Sequence, residues 1–209
     1  MYEAVFFDLD GTLIDTETLA LRSNRLVFEA HGHEVDEDFL HSMIGKDIPT
    51  MNAILRRVMP GLDLERFATE AAEAFIHEMD RGLELKPGAR QLLNHLPQPK
   101  VVVTSSGRSS AHHKISLTGI GDAFVDVISV DDVTRAKPEP EPYLLAAGRL
   151  GVNPKRCLVF EDSEIGAEAG YRAGCTVVQV EDVLKPTGRW AHHVAKDLLT
   201  GAHMAGLMA

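Results

Sequence analysis

The chain is poor in the residues that mark several specialised protein classes. Its 209 residues include only two cysteines, Cys157 and Cys175, and one tryptophan. Two cysteines are too few for the disulfide framework of a small secreted domain, and their spacing is not that of a metal site. We therefore predict that both are reduced residues of a hydrophobic core.

Basic residues and long apolar segments are also scarce. Lys and Arg number 21 against 31 Asp and Glu, a formal net charge of −10, whereas nucleic-acid surfaces need clustered Lys and Arg. The longest apolar runs, such as residues 101–103, are far shorter than the roughly 18 residues that span a bilayer. The start of the chain lacks the pattern of a secretory signal. These absences predict a cytoplasmic protein that binds neither nucleic acid nor a membrane. We also expect it to be a monomer.

What remains is an average globular composition, with 44% hydrophobic and 25% charged residues. Four apolar runs are typical of strands buried on both faces, and a weaker fifth run follows the second. These runs are 4–8, 101–105, 157–162 and 176–180, with the weaker one at 127–130. Stretches with helical spacing, such as Gly88–His95 and Tyr143–Leu150, lie between them. The alternation predicts an α/β fold with a doubly wound parallel sheet.

Residues 16–83 follow a different pattern, because their apolar residues recur at steps of three and four without strand signals. One such stripe runs from Leu64 to Met79. We predict an all-helical domain over 16–83, inserted into a core domain formed by 1–15 and 84–209. In the tail of the chain, the segment Trp190–His193 is predicted to be a surface helix.

Two acidic residues follow the first predicted strand, in the segment Phe7-Asp8-Leu9-Asp10-Gly11-Thr12. Residues two apart on a strand face the same side, and open α/β sheets bind ligands at the carboxyl ends of their strands. Two close carboxylates repel each other unless they bind a cation or share a proton. We therefore predict that Asp8 and Asp10 hold a cation beside a phosphate or transfer protons, although an Asp-Gly turn would also explain the pattern.

Three further motifs fall at predicted strand ends or in loops beside them. Ser105 and Ser106 offer hydroxyls and backbone amides to a phosphate, or simply cap a helix. Lys137 offers an ammonium group as an electrostatic clamp, although most lysines are solvated surface residues. Glu161 and Asp162 form a second acid pair that suits a cation, with helix capping as the alternative. Their convergence on one crevice favours a functional site.

Taken in order, the motifs resemble those of the haloacid dehalogenase superfamily of phosphohydrolases, in its β-phosphoglucomutase-like and phosphoglycolate-phosphatase-like subfamily. The resemblance covers nearly the whole chain and implies a Rossmann-like core with a helical cap, for which 16–83 is in the expected place. The matching segments are Asp8–Thr12, Thr104–Ser106, Lys137-Pro138, and Glu161–Ser163 with Gly166.

The resemblance also implies catalytic roles. Asp8 would be the nucleophile that attacks phosphorus and forms an aspartyl-phosphate, while Asp10 protonates the leaving oxygen and later activates water. Ser105 and Lys137 would hold the transferring phosphoryl group, with Ser106 as a further phosphate contact. We therefore expect a phosphatase that acts on a small phosphorylated metabolite, such as a sugar phosphate or phosphoglycolate.

The implied cofactor is Mg²⁺. The resemblance assigns it to Asp8, to the backbone carbonyl of Asp10 and to Asp162, with Glu161 close by or contributing. Five residues that flank the hinge, the cap loop and the second motif are candidates for contacting the leaving group. These specificity candidates are Thr16, Glu17, Gly45, Lys46 and Arg108.

Two alternatives stay open. Asp10 favours phosphate-ester chemistry, because the dehalogenases of the superfamily lack an acid at that position. The subfamily's mutases carry a cap histidine and a cap arginine where this chain has Ala20 and Ile48, but Lys46 could replace the arginine. A β-phosphoglucomutase-like phosphosugar mutase is thus the first alternative, and a non-catalytic module that binds a phosphorylated metabolite is the second.

Overall fold

A computed structural model describes residues 1–44, 46 and 48–208, and the chain divides into two compact units. The first unit combines Met1–Asp15 with Glu84–Ala209, and the second is Thr16–Leu83. The first carries a sheet and the second is helical. The predicted fold class, an α/β core with an inserted all-helical domain, is confirmed.

The sheet of the first unit is parallel throughout, and six of its strands lie within the described ranges. In chain order they are β1 (Ala4–Phe7), β2 (Lys100–Val103), β3 (Asp126–Ile128), β4 (Cys157–Glu161), β5 (Thr176–Val180) and β6 (His193–Ala195). Their order in the sheet is β3-β2-β1-β4-β5-β6. Every residue of β1, β2 and β4 is buried. Strands covered on both faces are largely apolar, which is why these three central strands could be predicted from their apolar runs.

The helices are numbered in chain order across both units. They are α1 (Thr16–Ala30), α2 (Glu37–Met43), α3 (Ile48–Val58), α4 (Leu64–Arg81), α5 (Ala89–His95), α6 (Arg108–Thr118), α7 (Glu141–Leu150), α8 (Glu164–Arg172) and α9 (Leu198–Met204). Helices α6, α7 and α8 each connect one strand of the sheet to the next, as a doubly wound sheet requires.

The order of the strands places a topological switch point at the centre of the sheet. From β1 the chain passes to β2 and β3 on one side, and it then crosses to β4, β5 and β6 on the other. In open α/β sheets the crevice at such a point is where ligands bind. The segments that follow β1, β2 and β4 all contain predicted site residues, so the fold brings three of the four motifs to this crevice.

The helical unit has its own hydrophobic cluster. Its buried residues are Val27, Phe28, Leu40, Met43, Leu55, Met59 and Phe67. The stripe predicted along α4 is narrower than expected, because Phe67 and Met79 are buried whereas Ile76 is 53% exposed. Asp63 caps α4 by accepting hydrogen bonds from the backbone N–H groups of Glu65 and Arg66.

The prediction for the tail is wrong. The segment 190–193 is not helical; His193 begins β6, which pairs with β5 between Val178 and Val180. Hydrogen bonds to the edge of a sheet stabilise this three-residue strand, and so short a segment has no periodicity to detect. The helix that the tail does contain is α9, which Asp197 caps by accepting from Thr200 N–H at 2.7 Å.

The cysteine prediction is confirmed, since Cys157 and Cys175 are both free and buried. Burial raises the pKa of the Cys157 thiol to about 11 and that of Cys175 to about 12, which keeps both protonated. None of the helices in the described ranges has the length and apolar content that a bilayer crossing requires.

Candidate active site

Asp8 lies directly after the central strand β1. Its backbone N–H donates to the carbonyl of Phe160 at 2.9 Å, which continues the pairing with β4 to this residue. Its side chain is buried, and Oδ1 accepts a hydrogen bond from Lys137 Nζ at 2.6 Å. Burial raises the pKa of Asp8 well above its usual value, and the charges of Glu161 and Asp162 raise it further, while Lys137 offsets part of this effect.

Lys137 is a fixed cation between two acids. Its Nζ donates to Asp8 Oδ1 at 2.6 Å, to the carbonyl of Val103 at 2.8 Å and to Glu161 Oε1 at 2.5 Å. These three acceptors match the three N–H donors of an ammonium group. Burial opposes the charge, but Asp8 and Glu161 hold the pKa of Lys137 above its usual value. The lysine therefore stays charged beside the proposed nucleophile.

Glu161, the last residue of β4, is fully buried and accepts hydrogen bonds at both carboxylate oxygens. Oε1 accepts from the Tyr143 hydroxyl at 2.9 Å as well as from Lys137, and Oε2 accepts from Ser163 Oγ at 2.9 Å. The backbone of α8 approaches closely here, because a Cβ added at Gly166 would overlap the Glu161 carboxylate. Glu161 is thus held in one position and helps to fix the ammonium group of Lys137.

Asp162 lies close to a further acid, Asp182. Its Oδ1 accepts from Thr12 Oγ1 at 2.8 Å. Gly11 has φ +80°, and a Cβ there would lie 2.5 Å from Asp162 Oδ2 and 2.9 Å from Asp182 Oδ2. Only glycine fits this turn between the two carboxylates. Burial and the charges of Glu161 and Asp182 raise the pKa of Asp162 to about 7, although the bond from Thr12 opposes the shift.

Three of the four predicted metal ligands offer carboxylate oxygens to one point. Oxygens of Asp8, Glu161 and Asp162 all lie within 4.8 Å of one another, and hard divalent cations prefer such ligands. The Asp10 carboxylate has other partners, Ser106 Oγ at 2.7 Å and Lys114 Nζ at 2.5 Å. The acidic cluster therefore has a composition suited to a divalent cation without the Asp10 side chain.

Lys114, Tyr143 and Asp182 were not identified from the sequence. A signal for Lys114 existed: Ala111, Lys114 and Ile115 share the buried face of α6 at helical spacing, so a lysine occupies an inward position. No comparable signal marked Tyr143, which reads as an ordinary core aromatic, or Asp182, which pairs with Lys86 at 2.6 Å.

The remaining predicted residues have varied surroundings. Ser105 is exposed, whereas Ser106 donates its hydroxyl to Asp10 and its backbone N–H to Thr104 Oγ1 at 3.0 Å. Arg108 is largely exposed and donates to Asp132 Oδ1 at 2.8 Å. In the helical unit Thr16 is buried, Glu17 half-buried and Lys46 exposed, and Gly45 lies outside the described residues.

The sheet unit thus combines a doubly wound sheet with buried acids and a lysine at its switch point, and a helical insertion follows its first strand. The family model described as haloacid dehalogenase-like hydrolase matches residues 5–180, and the chain belongs to that family.

Known proteins resemble the chain over most of its length. It is 36% identical to validoxylamine A 7'-phosphate phosphatase of Streptomyces hygroscopicus subsp. limoneus, over 83% of each chain. It is 32% identical to fructose-1-phosphate phosphatase of Escherichia coli strain K12, over 86% of this chain and 96% of that one. A structure from Thermotoga maritima, provisionally described as a β-phosphoglucomutase, has a TM-score of 0.84 and 28% identity, covering 99% of this chain and all of the other. The chain is accordingly an enzyme, a hydrolase of phosphomonoesters.

Proposed function

We propose that the chain is a Mg²⁺-dependent phosphatase that hydrolyses a small phosphomonoester, of the sugar-phosphate or phosphoglycolate type, through an aspartyl-phosphate on Asp8. The observation that carries this proposal is the position of Asp8: it is buried at the end of the central strand, 2.6 Å from Lys137 and beside Glu161 and Asp162. A nucleophilic carboxylate needs a rigid support and nearby positive charge, and both are present.

The acidic cluster fits a divalent cation. When ionised, Asp8, Glu161 and Asp162 carry three negative charges, whereas Lys137, which pairs with Asp8 and Glu161, carries one positive charge. The cluster therefore has excess negative charge in a buried place. The residues that would hold the cation are Asp8 and Asp162, through their carboxylates, and Asp10, through its backbone carbonyl. Glu161 is better suited to holding Lys137, because its own oxygens already accept hydrogen bonds. A bound cation would supply positive charge that stabilises the phosphoryl oxygens.

The chain's own residues account for two displacements at phosphorus. Asp8 Oδ attacks phosphorus as the bond to the leaving oxygen breaks, and Asp10 gives that oxygen a proton. Water then attacks the aspartyl-phosphate, Asp10 takes the water proton, and inorganic phosphate leaves Asp8 as a carboxylate. Lys137, held by three acceptors, stays charged beside the transferring group, while Ser105 offers an exposed hydroxyl to it.

Two relatives support a small phosphomonoester as the substrate. By their names, they act on validoxylamine A 7'-phosphate and on fructose 1-phosphate, and the second of these is a sugar phosphate. We propose that Thr16, Glu17, Gly45, Lys46 and Arg108 help to select the leaving group. Exchange of Lys46 and Arg108 for alanine should then change the relative rates on a panel of phosphorylated metabolites, and an unaltered profile would contradict their role.

The mutase alternative rests on the likeness to the Thermotoga maritima structure. It can be separated from the phosphatase by supplying β-glucose 1-phosphate with a bisphosphate activator and following the products by phosphorus NMR. Inorganic phosphate is the expected product. Glucose 6-phosphate as the main product would favour the mutase.

The decisive variant is Asp8→Asn, which keeps the size of the side chain and removes the nucleophile. We expect the parent to hydrolyse p-nitrophenyl phosphate in the presence of Mg²⁺ and Asp8→Asn to lose essentially all turnover, with an unchanged circular dichroism spectrum. Turnover in a well-folded Asp8→Asn protein would exclude the aspartyl-phosphate. An inactive parent across a metabolite panel would instead favour the non-catalytic module.

A further inference from the structure

Lys114 is a buried lysine that belongs to none of the four sequence motifs. It lies in α6, only 6% of its surface is exposed, and its neighbours on the buried face are Ala111, Ile115 and Thr118. Burying an ammonium group costs free energy unless the group is paired, so the partner of a buried lysine indicates the role of that lysine. Its partner is Asp10, 2.5 Å away across 104 residues of sequence.

The contacts around Asp10 form a closed triangle. Lys114 Nζ donates to Asp10 Oδ1 at 2.5 Å and to Ser106 Oγ at 3.0 Å. Ser106 Oγ in turn donates to Asp10 Oδ2 at 2.7 Å. Each carboxylate oxygen of Asp10 therefore accepts from a different donor, and the two donors, Lys114 and Ser106, are hydrogen-bonded to each other. These contacts fix the plane of the Asp10 carboxylate.

Asp8 and Asp10 are paired with different lysines. Lys137 pairs with Asp8 and Glu161, whereas Lys114 pairs with Asp10. The acid pair at the end of β1 is thus supported by cations that come from two different elements, the loop before α7 and the buried face of α6. Removing Lys114 should therefore affect the function of Asp10, whereas removing Lys137 should affect that of Asp8.

We propose that Lys114 is a positioning residue for the proton transfers of Asp10; this inference rests on the proposed function. Oδ1, which accepts from the Lys114 ammonium group, is the anchored oxygen. Oδ2 is the oxygen that gives its proton to the leaving group as the P–O bond breaks and takes one from the attacking water. The Ser106 hydroxyl suits both states, because it donates to the ionised Oδ2 and accepts from the protonated one.

The test is the dependence of kcat/KM on the leaving group, because kcat/KM covers events only up to departure of that group. In Lys114→Met the stem of the side chain remains and the donors are lost. We expect kcat/KM to fall about 100-fold for alkyl phosphates, which need a proton from Asp10, and less than about threefold for p-nitrophenyl phosphate, which does not. The loss for alkyl phosphates should lie in kcat, with KM nearly unchanged.

Lys100→Met is the matched control. Lys100 is also buried, at 8% exposure, but its ammonium donates to the carbonyls of Leu96 and Gln98 at the opposite end of β2. This variant should leave the leaving-group dependence unaltered. If Lys114→Met does not fold by circular dichroism, Ser106→Ala removes the other donor to Asp10 and should steepen the dependence in the same direction.

The outcomes separate this inference from the proposed function. Suppose that the parent is active and Asp8→Asn is not. If Lys114→Met then shows a uniform loss or no loss across the leaving groups, the role of Lys114 alone would be overturned. A parent that hydrolyses no phosphate would overturn both. A selective loss on poor leaving groups, absent in Lys100→Met, supports the inference.

Discussion

Asp162 is a carboxyl group that the folded protein makes hard to ionise. Its pKa is raised from 3.8 to about 7 by burial and by the charges of Glu161 and Asp182, despite the bond from Thr12. Between these two values the metal-free folded state binds more protons than the unfolded state, so this group's contribution to stability falls as pH rises through that window. Each unit of difference between the folded and unfolded pKa changes the free energy of unfolding by about 1.4 kcal/mol.

We predict that stabilisation by Mg²⁺ grows with pH, because the cation requires the carboxylate that the proton occupies below about pH 7. The rise in Tm on adding Mg²⁺, measured by differential scanning calorimetry, should be small near about pH 5.5 and clearly larger near about pH 8. Asp162→Asn should abolish most of the rise at the higher pH. Equal shifts at both pH values in the parent would contradict the assignment of Asp162 to the cation.

Two glycines within helices have opposite surroundings. Gly148 lies in α7 with nothing within 4 Å of an added Cβ. Gly201 lies in α9, where an added Cβ would be 2.5 Å from Val178 Cγ1 and 3.2 Å from Phe160 Cε1. The absent side chain at Gly201 is what allows α9 to pack closely against β4 and β5.

Alanine should therefore act in opposite directions at these two sites. Gly148→Ala should raise the free energy of unfolding by about 0.5–1 kcal/mol, because alanine loses less backbone entropy in a helix. Gly201→Ala should lower it by about 1–3 kcal/mol, since the helix must move away from the sheet. Urea denaturation of both variants measures the difference. Stabilisation by Gly201→Ala would show that α9 can shift at little cost.

At the scale of the whole molecule, the two units have separate hydrophobic clusters. Phe67 of the helical unit is buried, with its ring centroid 4.4 Å from that of Phe28. Val159 is fully buried in a cluster of the sheet unit. Because all residues of each cluster belong to one unit, a substitution that disrupts a cluster should first destabilise the unit that contains it.

We predict that Phe67→Ala destabilises the helical unit by about 3–5 kcal/mol, the usual cost of removing a buried phenyl ring. Amide hydrogen exchange followed by mass spectrometry should then become faster in residues 16–83 and stay nearly unchanged in the strands of the sheet. Val159→Ala, the matched variant of the other cluster, should show the reverse pattern. Faster exchange throughout the chain in both variants would mean that the units unfold as one.

Sequence alone determined the fold class and the position of the four motifs. Asp8, Lys137 and the pair Glu161-Asp162 could be singled out because they border apolar runs and proline-stiffened loops, and such local patterns are readable in one dimension. Their catalytic roles stay predictions. β6 escaped detection, since a three-residue edge strand is stabilised by its neighbour rather than by its own pattern.

Only the tertiary structure decided which groups meet. Lys114 reaches Asp10 across 104 residues, Tyr143 supports Glu161 from α7, and Lys86 meets Asp182 across 96. It also assigned Ser106 to Asp10 and left the Asp10 carboxylate outside the acidic cluster. The physical reason is that hydrogen bonds and ion pairs act over a few ångströms in space, and separation along the chain carries no record of that distance.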